Sequence, residues 1–249
     1  MSLARRLGGI VRLDLKGIAR DHVALATLLL SCLGTAVIAA LGTFQDRLPG
    51  WTPWFPFILA ASLVGGPGGF GFLFGLLLVE ENDTGVRDAL AITPVPLRLF
   101  LLVRTVVATL WMVAWPLASV HLMNYTWQAV DLSLAAWLTI IVPLALFTPA
   151  FALLIPALAR DKVGALAIFK GLSFLSLIPL ALFIVPAAAP YRLLFLVSPT
   201  AWTVETFQAL LAGHGAAALR WAGGALLYGV ALLALVVHHF RRAVYRLNR

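Results

Sequence analysis

Six long apolar runs govern what this chain can fold into. They lie near residues 22–41, 55–79, 101–123, 132–158, 163–185 and 216–239. A helix needs about 20 predominantly apolar residues to cross the hydrocarbon core of a bilayer, and each run is long enough. Only 11% of the 249 residues are charged, whereas soluble domains carry about 25%. The sequence therefore predicts an all-α integral membrane protein with six transmembrane helices, which form a single domain over residues 1–249.

The basic residues predict how these spans are oriented. With six spans both termini lie on one side, which carries five Lys and Arg residues in the amino-terminal tail, three within 80–104, two within 160–162 and four in the carboxyl-terminal tail. The other side carries three: Arg47, Arg192 and Arg220. Because Lys and Arg accumulate in cytoplasmic loops, both termini are predicted to be cytoplasmic. This placement accounts for the net charge of +8 without a nucleic-acid partner, for which the sequence offers no soluble scaffold.

The first 21 residues have the spacing of an amphipathic helix. Leu3, Leu7, Ile10, Val11 and Ile18 recur at helical intervals, and basic residues lie largely between them. A helix of this kind lies in the membrane interface. Residues 1–21 are therefore predicted to form an interfacial helix in contact with membrane lipids. The alternative is a basic stretch that merely precedes the first span.

The second and fifth runs hold candidate residues for a substrate path or a subunit interface. Gly65 and Gly69, and likewise Gly71 and Gly75, have the G-x-x-x-G spacing that lets two helices approach closely. The alternative for these glycines is packing within the chain. Lys170 lies inside the fifth run, where its side chain either extends toward the membrane boundary or faces the bundle interior and a polar substrate.

Prolines and a long connection predict irregular helices. Pro67 in the second run is expected to kink it, and the three prolines of the fourth run are expected to bend it more than once. Residues 186–215, before the last run, are too long for a tight turn, and their apolar pieces are too short to span twice. Residues 193–197 and 204–211 are predicted to form shallow re-entrant helices in the outer leaflet.

The connection after the second run, residues 80–97, is unusual for its acidity. It holds four of the ten acidic residues on the side where topology favours basic ones. A glycine turn, about two turns of helix and a proline stop are predicted within it. Such a segment can press against a partner, or it can be a solvated loop. The candidate contact residues are Glu80, Glu81, Gly85, Arg87, Asp88, Leu90, Thr93 and Pro94.

Two motifs in this order resemble those of type-2 ATP-binding-cassette (ABC-2) permeases. The first is similar to the family's cytoplasmic coupling segment, with two acidic residues, a glycine, a leucine, Thr-Pro and a basic residue that enters the next span. The second is Ser198, Pro199 and Thr200, followed by Gly213, which resembles the Ser-Pro segment of the family's re-entrant outer helices. Span number, size and the interfacial helix extend the resemblance over the whole chain, which is most similar to short bacterial drug-export permeases, including those for fluoroquinolones. The matching positions of the coupling segment are Glu80, Glu81, Gly85, Leu90, Thr93, Pro94 and Arg104.

The resemblance implies a permease subunit of an ATP-driven exporter in a bacterial plasma membrane. Its implied partners are a separate ABC ATPase, which binds ATP and Mg, and a second permease chain, identical or paralogous. This chain itself is expected to bind no cofactor or metal and not to be an enzyme, since the sequence holds no G-x-x-x-x-G-K-[ST] phosphate loop, no G-x-S-x-G elbow and no H-E-x-x-H helix.

Two other classes are weaker readings of this sequence. An ion-coupled secondary transporter would call for an inverted repeat and acidic residues near the membrane midplane, and the apolar runs contain no Asp or Glu near their centres. A membrane-embedded enzyme would need catalytic groups clustered at one depth. The histidines and carboxylates are scattered instead.

The predicted orientation can be tested with a reporter. Alkaline phosphatase, which is active only outside the cytoplasm, is expected to give no signal when fused after Arg249. The same enzyme inserted beside Arg47 is the positive control. Strong phosphatase activity at Arg249 would mean an odd number of spans or an inverted chain.

Overall fold

The computed structural model describes residues 8, 9, 12, 16, 17, 19–47, 49–83, 97–159 and 161–245. Short 3₁₀-helices at Gln45–Arg47, Thr52–Trp54, Ile178–Phe183 and Pro190–Val197 accompany longer α-helices. The α-helices in these residues are α1 His22–Gly42, α2 Phe55–Asp83, α3 Leu97–Trp127, α4 Leu134–Ala145, α5 Phe147–Leu158, α6 Lys162–Leu177, α7 Pro199–Leu211 and α8 Gly215–Tyr245. No strand occurs in the described ranges.

The six predicted spans are confirmed. In the part of the chain that the structure describes, six stretches are long and apolar enough to cross a membrane. α4 and α5 together make one of them, and α6 with the 3₁₀-helix Ile178–Phe183 makes another. The helix ends fall on two sides. The terminal side is the one where α1 begins and α8 ends, and the far side is the one where α1 ends and α8 begins.

Burial divides the spans into an inner pair and an outer group. In α2 and in α4–α5, 72% of the apolar window is buried, against 11% in α1 and 22% in the spans of α3, α6 and α8. α2 packs mainly against α5 and α6, and α8 packs against α7 and α5. The core therefore runs along α2 and α4–α5, and the other spans surround it.

The fourth span is interrupted between α4 and α5. Leu146 separates the two helices, and its N–H donates to the carbonyl of Pro143 at 3.3 Å. Pro149 lies one turn later and has no N–H to donate back along the helix. α5 continues through Pro156, as α2 continues through Pro67. The helix of the fourth span is therefore interrupted once in the described residues, between α4 and α5, and bending at more than one of its prolines stays a prediction.

The predicted re-entrant segment contains short helices on the far side. The 3₁₀-helix Pro190–Val197 and α7 cover the two predicted pieces, and neither is long enough to span. α7 is packed against α8, α4 and the 3₁₀-helix Ile178–Phe183. Its residues from Thr200 to Phe207 are mostly buried, so α7 is part of the bundle, whereas no residue of the 3₁₀-helix Pro190–Val197 is buried.

Most of the predicted interfacial helix, residues 1–21, lies outside the described residues. Gly8, Gly9, Arg12, Lys16, Gly17, Ala19 and Arg20 are described and helical. A Cβ at Gly17 would lie 3.5 Å from Leu77 of α2. Backbone hydrogen bonds link Gly17 to Asp21 and Asp21 to Leu25, so the end of this segment joins α1 by a helical turn.

The two G-x-x-x-G pairs of α2 have different surroundings. A Cβ at Gly71 would lie 2.6 Å from Cβ of Phe151 and 3.1 Å from the carbonyl oxygen of Thr148, and one at Gly75 would lie 3.1 Å from the carbonyl oxygen of Ala152. A Cβ at Gly65 or Gly69 would have no contact within 4 Å with a neighbouring element among the described residues. Gly71 and Gly75 therefore serve the packing of α2 on α5, whereas Gly65 and Gly69 face open space.

Alanine substitution distinguishes the two pairs. Gly71→Ala is expected to lower the thermal midpoint of the purified protein in detergent, because the added methyl group overpacks the α2–α5 contact at a cost of about 1–3 kcal/mol. Gly65→Ala is the matched control and is expected to leave the midpoint unchanged or slightly raised, since alanine favours helix. Equal losses at both positions would contradict the assigned packing.

Candidate functional site

A bidentate ion pair joins the two spans that flank the acidic connection. Nη1 of Arg104 in α3 lies 2.7 Å from Oε2 of Glu81 at the end of α2, and Nη2 lies 2.5 Å from Oε1. The two side chains are 6% and 18% exposed. Two parallel N–H···O bonds fix both distance and angle between the partners. The base of the α2–α3 hairpin is therefore held rigidly.

A second set of charges connects three elements beside this pair. Nζ of Lys162, the first residue of α6, lies 3.0 Å from Oε1 of Glu80 and 3.4 Å from Oδ2 of Asp21. Asp161 caps α6, since its Oδ1 accepts from the N–H of Gly164 at 2.7 Å. Lys162 is half exposed, so each contact is worth about 0–1 kcal/mol. Lys162 thereby ties the residue before α1 to the ends of α2 and α6.

These contacts define the terminal-side cluster: Asp21, Glu80, Glu81, Arg104 and Lys162. Of the predicted coupling residues, Glu80 and Glu81 belong to it. Gly85, Arg87, Asp88, Leu90, Thr93 and Pro94 lie outside the described residues, so their role stays a prediction. Arg104 entered the sequence motif only as a basic residue of the next span, and its pairing with Glu81 could not be read from the motif.

Gly65 and Gly69 line a small groove between α1, α2 and α3. The groove has a volume of about 200 Å³, and serine and threonine hydroxyls from all three helices line it together with Phe70 and Trp115. The hydroxyls of Thr35 and Ser119 are 3.5 Å apart. Glycine and hydroxyl groups are the groups through which membrane helices associate closely. This groove suits a helix of a second subunit or a passing substrate, the two roles predicted for these glycines.

Lys170 lies on the outward face of α6. Its side chain is exposed, as are those of Val163 and Phe174, which share this face at helical spacing. The cation therefore points away from the helices of its own chain. An outward-facing side chain is expected both where a helix borders lipid and where it contacts a second permease chain. The predicted role of Lys170 in a substrate path or subunit interface therefore stays a prediction.

An arginine-centred cluster on the far side was missed by the sequence reasoning. Nε of Arg192 lies 2.6 Å from Oε1 of Glu205, and Nη2 lies 3.0 Å from Oε2. Nη1 donates to the carbonyls of Leu182 and Val185, and Nη2 also donates to Gln208. In the sequence, Glu205 is one of the carboxylates that are scattered along the chain. The available signal was an Arg and a Glu of opposite charge within one otherwise apolar segment.

The Ser-Pro-Thr stretch joins α6 to α7. Oγ of Ser198 donates to the carbonyl of Leu175 at 3.3 Å, and Oγ1 of Thr200 donates to the carbonyl of Ser176 at 2.8 Å. Pro199 is the first residue of α7, a position where its missing N–H costs nothing. These residues therefore anchor the re-entrant segment to the end of the fifth span.

Within the described ranges no three His, Cys, Asp or Glu side chains come close enough to hold a metal ion.

Comparison with known proteins gives relatives over nearly the whole length of the chain. The family model described as "Fluoroquinolones export permease protein Rv2686c-like" matches residues 14–237. Two curated proteins of Mycobacterium tuberculosis are each 28% identical over 255 residues, covering 95% of this chain and 94% of the relative. They are the fluoroquinolones export permease proteins MT2760 of strain CDC 1551 / Oshkosh and Rv2686c of strain H37Rv.

The hairpin pair can be tested by exchanging its charges. Glu81→Arg or Arg104→Glu alone is expected to lower the thermal midpoint strongly, because loss of one partner of a buried pair costs about 3–5 kcal/mol of stability. Since Glu81 is partly exposed, this cost is an upper limit for its substitution. The double exchange is expected to recover part of that loss as a coupling of about 0.5–3 kcal/mol. Glu80→Arg, at the more exposed neighbour, is the control with a smaller effect. Additive losses in the double variant would contradict a direct pair.

Proposed function

The chain belongs to the Rv2686c-like family of fluoroquinolones export permeases, and on that premise we propose that it is the transmembrane permease subunit of an ATP-driven exporter. Its substrate is a drug, a lipid or another amphipathic molecule that leaves the cytoplasm or the inner leaflet. The relatives are named for fluoroquinolones, which makes these drugs the first substrates to test. ATP and Mg bind to a separate ATPase chain, because the sequence has no phosphate loop.

The Glu81–Arg104 pair is the observation that best supports a coupling role for the connection after α2. α2 is one of the two most buried spans, and a bidentate pair holds α3 to its end. A force applied to the connection would act on both spans together, because the pair resists separation and rotation. Lys162 extends the same link to α6 through Glu80. In this proposal the ATPase binds residues 80–97 and moves these spans as one unit.

Two permease chains face one another across the export path in this proposal. The groove above Gly65 and Gly69 and the outward face of α6 with Lys170 are the surfaces available for that contact. The groove carries glycine and hydroxyl groups, which are groups that associate membrane helices, and the outward face of α6 carries the exposed cation of Lys170. The charge distribution supports cytoplasmic termini, so that residues 80–97 meet the ATPase on the cytoplasmic side.

Co-expression with an ATPase tests the coupling contact. The chain is produced in a fluoroquinolone-sensitive bacterium together with a candidate ABC ATPase from the same organism, and drug efflux and co-purification are measured. Leu90→Asp is expected to weaken ATPase binding by at least about tenfold, because an unpaired charge buried at an interface costs more than the 1.4 kcal/mol that a factor of ten represents. Efflux is expected to fall with it.

Arg47→Glu is the control for this experiment. Arg47 is exposed on the far side, and an exposed substitution changes stability by about 0.5 kcal/mol or less. Normal insertion of both variants excludes a folding defect. Unchanged binding and efflux in Leu90→Asp would refute the coupling role. ATP hydrolysis by the purified chain alone would refute the proposal that a separate ATPase chain hydrolyses ATP.

A further inference from the structure

A cavity of about 630 Å³ lies between α5, α6, α8 and the 3₁₀-helix Pro190–Val197. Its volume falls within the range of about 300–1,000 Å³ that is usual for ligand sites. The floor is buried, with Phe151 at 5% and Ser176 at 2% exposure, while Leu175, Leu194 and Val197 on the rim are exposed. Since the rim residues lie on the outer surface of the bundle, the cavity opens sideways, toward the surrounding bilayer.

Three hydroxyl groups of the cavity wall are already hydrogen-bonded within the chain, and the fourth, that of Tyr191, belongs to an exposed side chain on the rim. Ser176 donates to the carbonyl of Leu172 at 2.8 Å, Ser198 to that of Leu175 at 3.3 Å and Tyr228 to that of Val197 at 2.7 Å. Among the described residues that line the cavity, none is charged. A charged ligand would find no counter-ion here, and water would find few of the two to four polar partners that it needs in a buried site.

We propose that this cavity binds one acyl chain of a membrane phospholipid. Hydrocarbon matches an apolar wall whose inner hydroxyls already donate within the chain, and the lateral opening faces the medium in which acyl chains are abundant. The headgroup stays at the membrane interface while the chain enters past Leu194 and Val197. This inference concerns lipid binding by the chain itself and does not depend on an ATPase or on drug export.

The bound chain would contact both sides of the joint between α6 and the re-entrant segment. Leu172 and Leu175 of α6 line the cavity on one side, and Phe195 and Pro199 line it on the other. The hydrogen bonds of Ser198 and Thr200 cross the same joint. An acyl chain in this place therefore stabilises the docking of the re-entrant segment by filling the space behind it.

Photolabelling tests the proposal on the full chain. The purified protein is reconstituted in vesicles of phosphatidylethanolamine and phosphatidylglycerol that contain a trace of phosphatidylethanolamine with a diazirine near the end of one acyl chain. After illumination, labelled residues are mapped by mass spectrometry. We expect label on Phe151 and Ser176, which are too buried for lipids at the outer surface to reach. Label on Leu235, which is 67% exposed, reports ordinary lipid contact.

Two matched tryptophan variants of α8 separate binding from surface contact. Leu232→Trp fills the cavity that Leu232 lines and is expected to reduce the label on Phe151 and Ser176 severalfold. Leu235→Trp, three residues away on the exposed face, is expected to leave that label unchanged. If Leu232→Trp does not fold, Leu172→Trp fills the cavity from the α6 wall instead.

Two outcomes would overturn the proposal. The first is absence of label on the two buried residues, and the second is equal label in the two tryptophan variants.

Discussion

The contact of α2 with α5 is the interaction around which the rest of the bundle is arranged. Water is absent between transmembrane helices, so apolar side chains gain little from meeting each other and association depends on close packing. Gly71 and Gly75 allow that packing, because the backbone of α5 at Thr148 and Ala152 approaches to where their side chains would be. α2 and α4–α5 are buried as a result, and the other spans attach to their outer faces.

Strong polar interactions are concentrated toward the two ends of this packed core. On the terminal side, Arg104 pairs with Glu81 and Lys162 contacts Glu80 and Asp21. On the far side, Arg192 joins Glu205 to the carbonyls of Leu182 and Val185. An unpaired polar group is costly in hydrocarbon. Arg104 donates to both oxygens of Glu81, and Arg192 donates to Glu205, to two backbone carbonyls and to Gln208. The ends are therefore held by directional bonds, whereas the middle is held by packing.

This division is suited to a permease that works through movement of whole helices. In the described part of the chain, few directional bonds join the helices of the middle region, so these helices can shift by small displacements while the bonded ends keep neighbouring spans together. The Glu81–Arg104 pair unites α2 with α3, and Ser198 and Thr200 unite α6 with the re-entrant segment. Gly65, Gly69 and Lys170 remain on surfaces that no other helix of the described residues covers, which leaves these surfaces for the proposed second permease and the export path.

The sequence by itself determined the class of the fold and the place of each span. The length of an apolar run is a local property, and so the predicted spans and the short helices after residue 186 agree with the observed helices. The acidic connection and Arg104 could also be singled out locally, but the ionic contact between Glu81 and Arg104 could not. It requires two helices to meet at a given height and rotation.

Helix rotation was decided only by the tertiary structure. An amphipathic helix in water shows its inward face by its pattern, but a transmembrane helix is apolar toward both its neighbours and the lipid. For that reason the sequence pattern predicted the same candidate roles for Gly65 and Gly71. It also left two orientations open for Lys170, toward the membrane boundary or toward the bundle interior. It also left Arg192 and Glu205 apart, since they meet only after the chain turns at Ser198. Side-chain packing determines the rotation of each helix about its own axis, because the apolar pattern alone leaves the possible rotations nearly equal in energy.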